Sequence, residues 1–264
     1  MNPADQPMVL AACLFFGLVV CLEVGYRIGR RALRTGDQVH EGIGAVEASV
    51  FALLGLLLGF SVAGGASRLD TRRELIVQET NAIGTAYLRV DMLSEDAQPQ
   101  LRRAFREYLD ARLQVYEKLH LPGPEAAERE MEKAAILQRS IWSLAVIATR
   151  GEGEVKQTAA RLLLPAVNDM IDVTTARAVA RFSRLPALIL GMLVSVALLS
   201  ALLAGYAMAK RRRRSWLHGL VYALSVAVTV YAVLDLDNPR AGFIRLDMAE
   251  NALTQLRDSI QEVR

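Results

Sequence analysis

The chain has 264 residues, of which 53% are hydrophobic, 6% aromatic and 22% charged, and its 31 basic and 28 acidic side chains leave a formal net charge of +3. These fractions exclude a disulfide-rich secreted scaffold, a collagen-like fibre and a disordered tail, and so small a charge excess gives no reason to expect nucleic acid as a partner. The distribution is what departs from an ordinary globular chain: charges are nearly absent from four windows and crowd between them, the pattern of an integral membrane protein with one sizeable polar region.

The first window, Met8 to Tyr26, holds a single charge, Glu23. At about 1.5 Å per residue it nearly covers the ~30 Å hydrocarbon layer. A cleavable signal peptide is the competing expectation; it is disfavoured because Met1 to Pro7 contains Asp5 and no Lys or Arg. Cys13 and Cys21 both lie inside this window and point to neither a redox compartment nor a zinc site. The second window, Ala45 to Ala66, has Glu47 near its start and is then uncharged. Glu23 and Glu47 are the candidate intramembrane carboxylates, expected to meet Arg27, Arg30 or the interface, with a proton or ion pathway as the alternative. Gly55 and Gly59 form a GLLLG motif that fits close packing against another span or another subunit. Phe51, Leu54 and Leu58 are the candidate lining of a hydrophobic pore constriction.

From Leu69 the positions Ile76, Thr80, Ile83, Tyr87 and Val90 continue the second span as one helical stripe. Arg68, Arg72 and Arg73 at its start are the candidate electropositive mouth of a pore assembled from several copies. Glu79 and Asn81 beside that stripe, together with Asn168, Asp169, Asp172 and Arg177 further along, form a candidate polar network. Its simplest role is to hold the bundle. Gly84 inside the helix points to close approach of a neighbour. A second helix starts near Pro99 and carries Leu101, Phe105, Tyr108, Leu109, Tyr116 and Leu119 inward, until Pro122, Gly123 and Pro124 end it. A third runs from about Glu125 to Thr149 with Met131, Ala135, Ile141, Leu144 and Ala148 facing in. The fourth, Glu154 to Leu185, is expected to kink at Pro165 and to lead straight into the third span.

The third window, Ala187 to Ala209, is uncharged, and the fourth, Trp216 to Leu234, opens on an interfacial aromatic. The basic residues Arg27, Arg30, Arg31 and Arg34, and the run Lys210 to Arg214, fall in the two short loops. By the positive-inside rule loops 27–44 and 210–215 are cytoplasmic and the 67–185 region is outside. Beyond the fourth span, Asp235 and Asp237 fit turn capping better than a divalent cation, which wants more oxygens than two carboxylates supply. Asn238, Pro239 and Gly242 mark a turn, a short extended piece follows, and Asp247 is placed to cap a last helix reaching about Val263.

No dinucleotide fingerprint, P-loop, zinc-protease, nucleophile-elbow or CxxC motif occurs. His40, His120 and His218 are too scattered for a triad or metal site. No catalytic residue, metal or cofactor is therefore expected.

The stretch EASVFALLGLLLGFSVAGGASRLDTRRELIVQETNAIGTAYLR, then NDMIDVTTAR, then a proline before a span ending LLAGY, then LDLDNPRAGFI, resembles the bestrophin-like bacterial membrane family, over roughly Glu47 to Ile244. Thr80 stands where the family is expected to carry alanine. The resemblance implies likeness to bestrophins: pentameric anion channels with four spans per subunit and a helical domain joining spans two and three, held in the cytosol. It agrees with the layout above except in the side of that domain, and the bestrophin calcium clasp has no counterpart here. The expected fold is an all-α membrane protein, with a helical-bundle domain (67–185) inserted between spans two and three, flanked by 1–66 and 186–234, and a C-terminal 235–264 segment. The expected function is a lipid-embedded homo-oligomeric channel for inorganic anions such as chloride. The alternative is a non-conducting scaffold or sensor whose helical domain binds a protein.

Overall fold

The computed structural model of the chain describes residues 6–35, 43–119, 125–209, 216–237 and 247–262. In chain order its elements are α1 (Gln6–Arg34), α2 (Ile43–Leu88), a 3-10 turn (Arg89–Met92), α3 (Gln98–Leu119), α4 (Glu125–Thr149), α5 (Glu154–Phe182), α6 (Ala187–Met208), α7 (Trp216–Asp237) and α8 (Asp247–Glu262), with no strand among the described residues. Four of them, α1, α2, α6 and α7, are long and apolar enough to cross a membrane. The fold is that of an all-α membrane protein with polar helices between its second and third spans in sequence. Contacts divide it into two units. The first takes α1, α2 through Leu69, α6 and α7; the second takes α2 from Asp70, the 3-10 turn, α3, α4, α5 and α8.

In the first unit α1 packs along α6 and α7. Leu14, Leu18 and Leu22 of α1, Leu193, Ala197 and Ala201 of α6, Ala223, Val226 and Val230 of α7, and Leu54 of α2 form its core. The tightest contact is made by glycines. A methyl on Gly25 would collide with the Leu202 carbonyl, one on Gly205 with the Leu22 carbonyl, and one on Gly29 would lie 2.7 Å from Tyr206 O. Apolar side chains gain little by leaving lipid for a helix interface, so close backbone approach supplies the packing attraction that holds spans together. By contrast Gly55 and Gly59 of the GLLLG motif have nothing among the described residues within 4 Å of an added Cβ. Between α6 and α7 the hydroxyls of Ser200 and Tyr222 are hydrogen-bonded, and the Phe51 ring meets the edge of Tyr222 at 5.7 Å. The remaining faces carry large exposed apolar side chains such as Phe16, Phe60 and Leu188, as a surface bathed in acyl chains requires.

In the second unit α3 packs on α4 and α8, α4 on α5, and the 3-10 turn against α3 and α5. The expected stripes of α2 and α3 are buried: Ile76, Ile83, Tyr87, Val90, Leu101, Phe105, Tyr108, Leu109 and Tyr116. The side chain of Leu119 lies outside the described residues. Gly84 does receive a neighbour, with Leu256 Cδ1 of α8 3.3 Å from its virtual Cβ. The buried face of α4 is rotated by about a residue from the expected one. Ala127, Ala134, Ile141, Ala145 and Thr149 point in, while Met131, Ala135, Leu144 and Ala148 sit half-buried at its flanks. Small alanines let α4 lie close to its neighbours, so volume rather than hydrophobicity chooses the face. Pro165 is accommodated inside α5.

The expected direct passage from the fourth polar helix into the third span does not occur. α5 stops at Phe182, Ser183 is extended (ψ 108°), and Pro186 (ψ 134°) precedes α6. Proline pushes the residue before it out of the helical region, and its carbonyl then accepts the first N–H groups of the new helix, from Ile189 and Leu190. The turn and extended piece expected at 238–246, the capping side chain of Asp247, His40, His120 and the run Lys210 to Arg214 lie outside what is described.

Candidate functional site

Glu79 is fully buried in the second unit, on the same side of α2 as Ile76 and Ile83. A lone carboxylate there would cost several kcal/mol, so it must be matched. Arg112 of α3 donates from Nε to Glu79 Oε1 at 2.7 Å. Arg177 of α5 donates to Oε2, and the Tyr116 hydroxyl donates to the same oxygen at 3.3 Å. Tyr116 in turn accepts from Arg112 at 3.0 Å and from Arg177. Its ring lies under both guanidiniums, 5.6 Å from Arg112 and 4.8 Å from Arg177. Burial pushes the Glu79 carboxyl up, and the two guanidiniums overcome that and hold it below the ordinary carboxylate range. Beside this cluster Tyr108 OH is 3.2 Å from Thr174 Oγ1, and burial raises the Tyr108 phenol. One carboxylate against two guanidiniums leaves an excess positive charge among α2, α3 and α5.

Of the expected polar network, Glu79 and Arg177 are the pair that meets between helices. Asn81 is exposed, and Asn168 bonds Asp172 at 2.8 Å on the exposed side of α5. At about 3.6 residues per turn, Asn168 and Asp172 project away from Arg177, and Asn81 away from Glu79. Asp169 is likewise exposed. Arg112 and Tyr116 are members that the sequence reading missed. The available signal was a charge four residues from each of two tyrosines, Tyr108 and Tyr116, inside an otherwise apolar stripe.

The expected arginine mouth dissolves for two of its three members. Arg68 donates from Nε to Asp237 Oδ1 at 2.8 Å, while Asp237 Oδ2 accepts the Leu185 N–H at 2.8 Å. Asp237 thus ties α2, the lead into α6 and the end of α7 together within the first unit. Arg72 is buried in the second unit and donates to the carbonyls of Ala180 (3.3 Å) and Ser183 (2.6 Å), closing the C-terminal end of α5. Arg73 is exposed, with Asp70 at 3.5 Å. Arg89, which the sequence did not single out, donates to the Leu162 carbonyl at 2.6 Å, next to the break in the hydrogen-bond ladder that Pro165 imposes. Replacing Arg89 by Gln is expected to cost about 1.5–3 kcal/mol, the range for a hydrogen bond to a charged group, read as faster amide exchange around Leu162.

The candidate pore side chains face the wrong way to line an opening. Leu54 is 3% exposed in the core of the first unit, Leu58 packs against that core, and Phe51 is held by Tyr222. The open stripe of α2 in that unit is instead Ala52, Leu56, Gly59 and Ala63. Period and hydropathy cannot tell these two faces apart, since both are apolar. Glu23 is met by Arg27 at 2.6 Å, Glu47 is half-buried near the start of α2, and His218 is exposed. Asp235 accepts from the Tyr231 hydroxyl at 3.3 Å. Among the described residues no group of three or more His, Cys, Asp or Glu is placed to hold a metal ion.

The family model described as Bestrophin-like domain matches residues 12–250. No curated protein and no solved structure matches the chain. The match runs from within the first span past the end of the fourth and takes in the polar helices between the second and third, so the chain belongs to the bestrophin-like family.

Proposed function

We propose that this protein is a homo-oligomeric membrane channel for inorganic anions whose conduit runs along the open stripe of α2. The observation that carries the proposal is the two-sidedness of α2 in the first unit. Leu54, Leu58 and Phe51 are occupied by the chain's own core, while Ala52, Leu56, Gly59 and Ala63 face outward and Gly59 meets no neighbour among the described residues. A span with small residues on an unpartnered side is what close assembly of copies around an axis needs. Preference for anions is carried by the family likeness. The basic residues Arg27, Arg30, Arg31 and Arg34 support a cytoplasmic position for the loop after α1, with assembly as a pentamer, as in bestrophins. Exposed Ile136, Trp142 and Ile147 on α4 favour a second reading, in which the polar unit docks a protein and no conduit exists.

Gly59→Trp separates the two. The position has open space around it, so the fold should survive with its unfolding temperature within a few degrees. Halide efflux from reconstituted vesicles should fall to the protein-free background. Efflux equal to that of the unmodified protein would remove α2 from the conduit, and a wild-type protein that passes no halide would leave the scaffold reading.

A further inference from the structure

In the second unit α3 and α5 stand at diagonally opposite corners. α4 packs on both of them, and α2 reaches both through Glu79, which takes Arg112 from one and Arg177 from the other. Their outer faces therefore look to opposite flanks of the unit. The two helices also run the same way. Tyr108 of α3 meets Thr174 of α5, 66 residues further along the chain, and about one turn later Arg112 and Arg177 share the Glu79 carboxylate. A residue of α3 thus stands level with the residue of α5 that follows it by 66 positions.

At one height the two flanks carry opposite charge. Arg103 is exposed and Arg106 half-buried on the outer side of α3. Level with them on the far flank are Asp169 and Asp172 of α5, both exposed. One turn further on, Asp110 of α3 is level with Ala176 of α5, and both are exposed. Each set steps by three and then four residues, so each forms one stripe along its helix. Glu107 is exposed too, but on the side of α3 that turns Lys118 to Glu130 of α4, whereas Arg106 follows Arg102 on the side toward Tyr87 of α2. Arg103, Arg106 and Asp169 make no hydrogen bond or ion pair with any described residue of their own chain, and Asp172 takes the Asn168 amide.

We infer that α3 of one copy docks on α5 of the next, with Arg103 and Arg106 against Asp169 and Asp172, and that this contact, repeated, closes the homo-oligomer into a ring. The inference rests on the homo-oligomer proposed above and not on its conducting ions. Rotation about an axis along the bundle moves a copy sideways without changing its height, so level stripes on opposite flanks meet without sliding. Opposite charges then fix the register and disfavour other pairings. Two different faces in contact make a ring when the rotation closes, and never a two-fold dimer.

Disulfide trapping between distinguishable copies tests this, in full-length protein with Cys13 and Cys21 replaced by serine. Copies carrying Asp110→Cys and one affinity tag are co-expressed with copies carrying Ala176→Cys and a second tag, then oxidised in the membrane. A dimer band bearing both tags should form, and neither variant expressed alone should give a dimer. Arg103→Glu in the first copies should cut the mixed band about five-fold, the scale of one exposed ion pair, and adding Asp169→Arg to the second copies should restore it. A dimer from Asp110→Cys alone would mean a two-fold contact. Absence of the mixed band would mean that the flanks do not meet, and a band indifferent to Arg103→Glu would mean that these charges do not hold it. Each of those three results overturns the inference. Halide efflux from vesicles of the same protein is measured separately: a trapped ring without flux removes the channel and leaves the interface, while flux without the band removes the interface and leaves the channel.

Discussion

Glu79→Gln is expected to destabilise the helical unit by about 3–5 kcal/mol, the cost of removing one partner from a buried ion pair. The substitution preserves shape but leaves Arg112 and Arg177, both about 10% exposed, with no carboxylate between them. Such a loss is a large fraction of the total stability of a typical domain. In mild detergent it should appear as a strongly lowered unfolding temperature and as loss of amide protection in α3 and α5. A cost under about 1 kcal/mol would mean that the cluster is hydrated and not the anchor described here. The pH dependence follows from the same pair. The folded-state pKa of Glu79 lies below its unfolded value of about 4.3. Its contribution is therefore complete above that value and is lost as pH falls through the lower, folded one. The gap between wild type and Glu79→Gln should be constant from about pH 5 to pH 8 and close only below about pH 4.

Gly25→Ala and Gly205→Ala should each damage the membrane unit. The added methyl collides with a backbone carbonyl of the opposing helix, Leu202 in one case and Leu22 in the other. A carbonyl cannot rotate aside as a side chain can, so α1 and α6 must separate along their length. Overpacking of this kind costs about 1–3 kcal/mol and sometimes more. Gly55→Ala supplies the internal control. No described residue lies within 4 Å of its new methyl, and exchanging glycine for alanine inside a helix favours the helix by about 0.5–1 kcal/mol. Expression level and unfolding temperature should fall for Gly25→Ala and Gly205→Ala and hold or rise for Gly55→Ala. The reverse order would mean that the chain packs its spans through the GLLLG motif after all.

The same glycines mark how far the sequence could be read. The spans were legible because lipid imposes a length and a composition on any helix that crosses it, as in Ala187–Met208. Which glycine is a contact was not. Gly25 and Gly29 have the same spacing as Gly55 and Gly59, and what separates the pairs is Gly205, brought to α1 only by folding. The buried charge was half legible. Glu79 beside Ile76 and Ile83 stood out, and Arg177 was proposed to meet it. Arg112 escaped because arginine on a helix normally reaches water. Arg68 and Arg72 misled for a related reason: a run of arginines at a span end reads as a charged mouth, yet Asp237 and the Ala180 and Ser183 carbonyls take them up. Those partners are more than a hundred residues away in the chain, beyond the reach of local pattern. The outward stripe of α2 was likewise hidden, since Leu54 and Leu56 are equally apolar and only the presence of α6 and α7 decides which one is covered.

The most direct measurement is thiol block of halide flux through single-cysteine proteins, with Cys13 and Cys21 replaced beforehand. A cysteine at position 56, on the open stripe, should let a charged thiol reagent abolish halide flux in vesicles of reconstituted protein, while a cysteine at position 54, inside the core, should leave flux untouched. Block at 54 with none at 56, or the absence of any halide flux before the reagent is added, would contradict a channel lined by the outward face of α2.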